Sequence, residues 1–249
     1  MKAMIFAAGL GTRLRPLTDH CPKALVKVGG VAMLERVITH LRDCGFNRMI
    51  VNVHHYADMI IDFISNNDFG VEIAVSDERD CLLDTGGAIV KARGWLDGDE
   101  PFLVHNADIL TDLDLGRMMA HHKELGASAT LLTSHRDSSR YLLFDADSRL
   151  CGWTNVSTGE CLPAGIDAGS YSRRAFGGIH IISPRMLKRL ADYGGDRPFP
   201  IVPFYVGACD VLPIYSYEPD CEYMWYDIGK PATLAAAESY ISSRESNIK

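Results

Sequence analysis

Short apolar runs and stretches of helical periodicity alternate through the first half of the chain. Ala3–Ala8 is a continuous apolar run ended by Gly9, the pattern of a strand buried in a parallel sheet. Met33–Cys44 sets Leu34, Val37, Ile38 and Leu41 at helical spacing and stops at Gly45. The same reading predicts strands at Arg48–Val53, Val71–Ser76 and Phe102–His105, the last ending at Asn106-Ala107-Asp108. Helices are expected at Ala57–Ser65, at Gly86–Arg93 and at Leu115–Leu125, where Met118, Met119 and His122 fill an inner face.

The second half is less regular. Ala129–Ser134, Tyr141–Phe144 and Leu150–Thr154 read as antiparallel strands, and Asn155–Ser172 as a polar loop. Phe176–Ile182 and Val211–Tyr215 read as strands, Pro184–Leu190 as a helix, and Pro231–Ser243 as a closing helix with proline in its first turn. The fold class is therefore α/β: a doubly wound, mostly parallel, Rossmann-like sheet with an antiparallel elaboration in the second half. With no repeat, low-complexity stretch or linker, residues 1–249 are expected to form a single domain.

Composition narrows the partners. A hydrophobic content of 47% supplies a packed core, and a formal net charge of -7 gives no reason to expect nucleic acid or an acidic membrane as partner. Seven scattered cysteines without a C-x-x-C pair point to reduced, structural thiols. The N-terminus enters the first strand too directly for a signal peptide, and no apolar run approaches the roughly 20 residues of a membrane helix. A cytoplasmic location is expected.

Chemistry concentrates in Ala7-Ala8-Gly9-Leu10-Gly11-Thr12-Arg13-Leu14-Arg15-Pro16-Leu17-Thr18, followed by Pro22-Lys23. Small residues and glycines after a strand let backbone approach a flat base and phosphates closely, and their N–H groups form an anion-binding nest. Arg13 adds a planar fork for phosphate oxygens, and Lys23 a compact ammonium. The dinucleotide pattern G-x-G-x-x-G is excluded, because Leu14 stands at its third glycine. Ligands of open α/β sheets bind beyond the strands' carboxyl ends, where this loop and Asp108 both fall. Asp108 and Asp227 each read equally well as turn formers, and Asp84 or Thr85 as helix caps. His54-His55 and His121-His122 read as surface or capping residues, since adjacent helical histidines do not face one another.

The loop resembles the signature A-A-G-x-G-T-R-L-x-P-L-T…P-K of the sugar-1-phosphate nucleotidyltransferase family. The resemblance continues through Leu83-Asp84-Thr85-Gly86-Gly87, Asn106-Ala107-Asp108, Phe176-Gly177-Gly178-Ile179 and Trp225-Tyr226-Asp227-Ile228-Gly229, in the family's order. It implies that Ala7, Ala8, Gly9, Gly11, Thr12, Arg13, Lys23, Thr85, Gly86 and Gly87 hold an NTP. The amides opening the Gly86 helix would then face a ligand. Asn106 and Gly178 would hold the sugar phosphate, and Asp108 and Asp227 a Mg²⁺ ion. Arg13, Lys23 and Asp108 become the catalytic set. The implied partners are an NTP and a sugar 1-phosphate, with neither nucleic acid nor membrane; homo-oligomerisation is left open.

Asp84 before Thr85-Gly86-Gly87 resembles the N-acetylmuramate 1-phosphate uridylyltransferase branch, whose members are likewise short and carry no acyltransferase domain. UTP and N-acetylmuramate 1-phosphate are the narrower expectation. Other family chemistry, on hexose 1-phosphates or phosphocholine, and a non-catalytic regulatory role are the alternatives. The family's Glu-Lys-Pro sugar-phosphate grip is missing from Trp153–Gly169. Arg140, Arg173 and Arg174 are the candidate replacements.

Overall fold

The computed structural model describes residues 1–195 and 197–246. Contacts divide the chain into two units interleaved along the sequence. Met1–Leu82, His105–Gly116 and Cys221–Lys249 make the first; Leu83–Val104 and Arg117–Asp220 make the second. No linker-like composition marks the crossings, one of which falls inside the strand Phe102–Asn106.

In the first unit, Lys2–Phe6, Arg48–Val53 and Glu72–Asp77 form a parallel sheet with Met4 opposite Ile50 and Ile50 opposite Ala74. Ala3, Met4, Ile5, Met49, Val51 and Val53 are fully buried, so the central strands carry apolar residues on both faces. The connections run through helices Met33–Asp43 and Ala57–Ser65. The first of these buries Leu34, Val37, Ile38 and Leu41, each contributing about 1.5–3 kcal/mol of transfer free energy.

Two short antiparallel pairs complete this unit. Trp225–Asp227 pairs with Ile109–Thr111, setting Asp227 opposite Ile109. Lys27–Val28 pairs with Val31–Ala32. Beneath them Leu14, Val26, Val28, Met33, Leu110 and Ile228 share one core with Leu234 and Ala237 of the closing helix Pro231–Ser246.

The second unit is mainly antiparallel, as the pattern anticipates. Ser172–Ile182 pairs with Ala129–Ser134 and with Arg140–Phe144. Arg140–Phe144 pairs with Leu150–Asn155, and that strand with Glu160–Leu162. Ile214–Tyr217 adds a parallel neighbour to Ala129–Ser134. Two expectations shift here. The polar loop Asn155–Ser172 contains the strand Glu160–Leu162 and a 3₁₀ turn at Ala168–Ser170. The strand expected at Val211–Tyr215 starts instead at Ile214, after Pro213, and Val211 is exposed. Among the described residues no helix is long and apolar enough to cross a membrane.

Candidate active site

The glycine loop leaves the carboxyl end of Lys2–Phe6 with Ala7 and Ala8 buried and Gly9 exposed. Its start is pinned by a residue that the periodicity did not single out. Asn52 Oδ1 accepts from the Ala7 N–H at 2.8 Å, and Asn52 Nδ2 donates to Glu78 Oε1 at 2.8 Å. Glu78 is fully buried, so its carboxylate fixes which way the Asn52 amide faces. The available sequence signal was one polar residue, Asn52, within the otherwise apolar stretch Met49–Val53.

The turn itself is made by Gly11 at φ 66°, the left-handed region that glycine enters without strain. The Gly11 carbonyl accepts from Leu14 N–H at 2.9 Å and from the buried Thr18 hydroxyl at 2.8 Å. Leu14 anchors the 3₁₀ turn Thr12–Leu14 in the core and leaves Arg13 exposed. Among the described residues, the N–H groups of Gly9, Gly11, Thr12 and Arg13 donate to no protein acceptor. They form a set of backbone donors suited to an anion.

Lys23 opens a second 3₁₀ turn after the extended Pro22, and its ammonium donates to Asp108 Oδ2. Asp108 follows Asn106 and the buried Ala107, whose N–H donates to Phe6 O at 3.0 Å. Asp108 O accepts from Ile228 N–H at 3.0 Å, which draws the Asp227 strand alongside. Asp227 Oδ1 accepts from Gly229 N–H at 2.8 Å, so Asp227 is also the turn former that its sequence context allowed.

Gly229 shows how tightly these groups converge. A methyl group there would lie 2.7 Å from Arg13 Nη2, 2.7 Å from Asp227 Oδ1 and 2.8 Å from Lys23 Nζ. Two cations of the glycine loop and the carboxylate of Asp227 thus crowd one Cα, and Asp108 joins them through Lys23. Mg²⁺ takes one or two carboxylates and completes its shell with waters and substrate phosphates. The donor set Asp108 and Asp227 fits that requirement. Among the described residues, no group of three His, Cys, Asp or Glu side chains forms a closed metal cage.

Other sites differ from expectation. In the second unit, Gly86 and Gly87 N–H both donate to Phe199 O, at 2.8 and 3.3 Å. The helix Asp84–Lys91 therefore spends on its own chain the amides expected to face a ligand. Its glycines are there for packing: a Cβ at Gly86 would meet the Phe199 ring at 2.2 Å. Asp84, at φ 57°, accepts from Thr85 N–H at 2.6 Å, and Thr85 Oγ1 accepts from Ile201 N–H at 2.9 Å. Gly178, at φ 75°, lies where the register between Ser172–Ile182 and Ala129–Ser134 shifts, a bulge between Phe176 and His180.

The arginine candidates separate clearly. Arg174 is ion-paired with Glu218 at 3.0 Å, Arg173 is exposed, and Arg140 stands at the start of its strand.

The histidines make contacts within the chain. His54 Nδ1 donates to Glu78 O at 2.7 Å. His122 lies on the inner face given by the helical pattern and not at a surface or cap: it is buried against the Thr130 hydroxyl at 2.8 Å, and desolvation holds its pKa down to about 4. His105 Nδ1 donates to Asn106 O at 2.8 Å, and burial lowers its pKa to about 3. All seven cysteines are free thiols.

The family model described as nucleotidyl transferase matches residues 2–244. The chain is 30% identical to an N-acetylmuramate alpha-1-phosphate uridylyltransferase of Caulobacter vibrioides, over 96% of each chain. It is 33% identical to a UTP–glucose-1-phosphate uridylyltransferase of Synechocystis, over 98% of this chain and 64% of that protein. In fold it resembles the crystal structure of HddC from Yersinia pseudotuberculosis, with a TM-score of 0.77 at 23% identity, covering 96% of this chain and 99% of the other.

Proposed function

The chain belongs to the nucleotidyl transferase family, and from that premise we propose that it joins an NTP to a sugar 1-phosphate, releasing pyrophosphate and an NDP-sugar. The observation that carries the reading is the convergence of Arg13, Lys23 and Asp227 on Gly229, with Asp108 joined to them through Lys23. A polyanionic triphosphate in a chain of net charge -7 needs local cations, and the loop concentrates them.

The reaction is an in-line displacement. A sugar-phosphate oxygen bonds to the α-phosphorus, the bond to the α–β bridging oxygen breaks, and pyrophosphate leaves with that electron pair. The attacking phosphate is already ionised at neutral pH, so no protein base is needed. The residues position and neutralise. The free amides of Gly9, Gly11, Thr12 and Arg13 cradle phosphate oxygens, the Arg13 fork neutralises the leaving pyrophosphate, and Lys23 faces the α-phosphate. Asp108 and Asp227 would hold Mg²⁺, which supplies charge neutralisation at phosphate oxygens when bound. Ala7, fixed through Asn52 and Glu78, keeps the loop's entry in place for the nucleotide.

The narrower reading is UTP with N-acetylmuramate 1-phosphate. It is supported by the relative of that specificity aligned over nearly the full length of both chains, and by Asp84 before Thr85-Gly86-Gly87. Steady-state kinetics with UTP and GTP, each paired with N-acetylmuramate and mannose 1-phosphates, tests it. A higher kcat/KM for UTP with the muramate is expected; a preference for GTP and mannose 1-phosphate would overturn the narrow reading. For the broad one, Asp108→Ala and Asp227→Ala should each lower kcat at least about 10²-fold in Mg²⁺ buffer while circular dichroism shows an intact fold. Unaltered turnover in both would remove the aspartates from the proposed roles.

A further inference from the structure

In the first unit, Arg48–Val53 runs parallel to Lys2–Phe6 with Asn52 opposite Phe6, so the two strands end side by side. Beyond Val53 the chain turns at Tyr56 into the helix Ala57–Ser65. Tyr56 sits there at φ 54° and ψ 38°. A bulky aromatic residue is disfavoured in that left-handed region, which glycine and asparagine enter readily. Tyrosine is also a poor helix cap, and the Tyr56 side chain makes no capping hydrogen bond. Local preference argues twice against tyrosine at this position. The compensation lies in what its side chain reaches.

The Tyr56 hydroxyl donates to the carbonyl of Asp19, 37 residues back in the chain. The His55 ring packs against the Tyr56 ring, with centroids 4.0 Å apart, and steadies its direction. Asp19 lies on the arm that returns from Arg13 to Lys23. Its neighbour Thr18 is buried and donates to Gly11 O at 2.8 Å. Thr18 therefore ties the arm to its own turn, and Tyr56 ties it to the end of the sheet. The Asp19 carboxylate also meets Arg15 at 3.3 Å, but both side chains are exposed, so that pair contributes little. Further along the arm, Lys23 starts its 3₁₀ turn after the extended Pro22.

We infer that Tyr56 is a positioning residue for the nucleotide. Its hydroxyl keeps residues 17–22 ordered, so that Arg13 and Lys23, at the two ends of the arm, meet an incoming triphosphate already arranged. The inference rests on reading the glycine loop as the NTP site, and it adds to that site a support from outside the loop. Tyr56 acts through the loop's backbone. Lys23 keeps its own bond to Asp108 whether or not the arm is tied. Without the tie, the nucleotide must order the arm as it binds, which weakens binding and leaves the chemical step nearly unchanged. Loss of Arg13 or Lys23 lowers kcat instead, so the two kinds of effect separate.

The test uses the full chain with UTP, and GTP in parallel. Tyr56→Phe removes the hydroxyl and keeps the ring. The calorimetric Kd and the KM for the nucleotide should each rise about three- to tenfold, the net worth of one hydrogen bond, with kcat close to that of the wild type. Amide hydrogen exchange gives a readout independent of turnover. The Leu17 and Asp19 amides, which donate to Leu14 O at 3.0 Å and Pro16 O at 3.1 Å, should exchange faster, while residues 48–53 keep their protection. Tyr56→Asn suits both the left-handed backbone and the cap, so it guards against a folding defect and should show the same losses. Unchanged exchange at Leu17 and Asp19 would overturn the inference, because the hydroxyl then does not order the arm. Faster exchange with unchanged nucleotide binding, or a fall in kcat at constant KM, would overturn it as well. So would a loss of protection across the whole sheet in both variants, which makes Tyr56 a contact of the fold. If the wild type binds nucleotide but releases no pyrophosphate with any sugar 1-phosphate, the enzymatic reading alone fails, and binding and exchange still decide this one.

Discussion

Lys23 donates to Asp108 across 85 residues of sequence, joining the glycine loop to the aspartate turn in a pair whose side chains are 14% and 19% exposed. The ammonium thus lies beside a carboxylate of the proposed metal pair. Any phosphate that enters must share it. Lys23→Met should lower turnover by about 10²–10³, and Arg13→Ala should do likewise with little change in melting temperature, since Arg13 is exposed. Pyrophosphate release and thermal melting of both variants check this. Wild-type rates would mean the loop holds something other than a triphosphate.

Gly229→Ala is the sharpest geometric probe. Its methyl group must displace Arg13, Lys23 or Asp227, all within 2.8 Å of the added carbon. A misplacement of about 1 Å costs on the order of 10² in rate, so kcat should fall that far while the circular dichroism spectrum is retained. Gly207→Ala, in the helix Ile201–Ala208 with nothing within 4 Å of the added carbon, is the control. Equal activity of the two variants would contradict the arrangement.

Gly86→Ala separates packing from nucleotide binding. With the Phe199 ring 2.2 Å from the new Cβ, the chain should lose about 1–3 kcal/mol of stability. Urea denaturation reads this directly. A stable variant with weakened NTP binding would instead restore these glycines to the ligand.

Acid should destabilise the fold through three buried histidines. Burial holds His105 and His180 at about 3 and His122 at about 4, against an ordinary value of 6.5. These groups are neutral when folded and take up protons only when unfolded, so their contribution is complete above pH 6.5. It is lost as pH falls from there towards 4, at about 1.4 kcal/mol per pH unit for each histidine. Urea unfolding at pH 7.5, 6 and 5 should show the decline; constant stability across that range would contradict it.

The parts legible in the sequence are those where local pattern and chemistry coincide. The buried strand Lys2–Phe6, the helix Met33–Asp43 and the cationic glycine loop each announce themselves within a dozen residues. The meeting of Asp108 with Asp227 does not. It depends on Trp225–Asp227 pairing with Ile109–Thr111, two three-residue strands too short to show a period. The helix Ile201–Ala208 shows no amphipathic period, because it is apolar nearly all round and begins at a proline boundary. The strand Ser172–Ile182 starts four residues before its expected onset at Phe176, since polar Ser172, Arg173 and Arg174 pair with Arg140–Phe144. Glu78 could not be read as part of the loop's support, because its link to Ala7 runs through Asn52 on another strand.

Pyrophosphate release from UTP, GTP, CTP and dTTP with a panel of sugar 1-phosphates, in Mg²⁺ and again in EDTA, tests the central claim most directly. The account expects turnover with at least one pair in Mg²⁺, UTP foremost, and its loss in EDTA with recovery when Mg²⁺ is restored. Absence of pyrophosphate from every pair, in a folded protein with Mg²⁺ present, would contradict it.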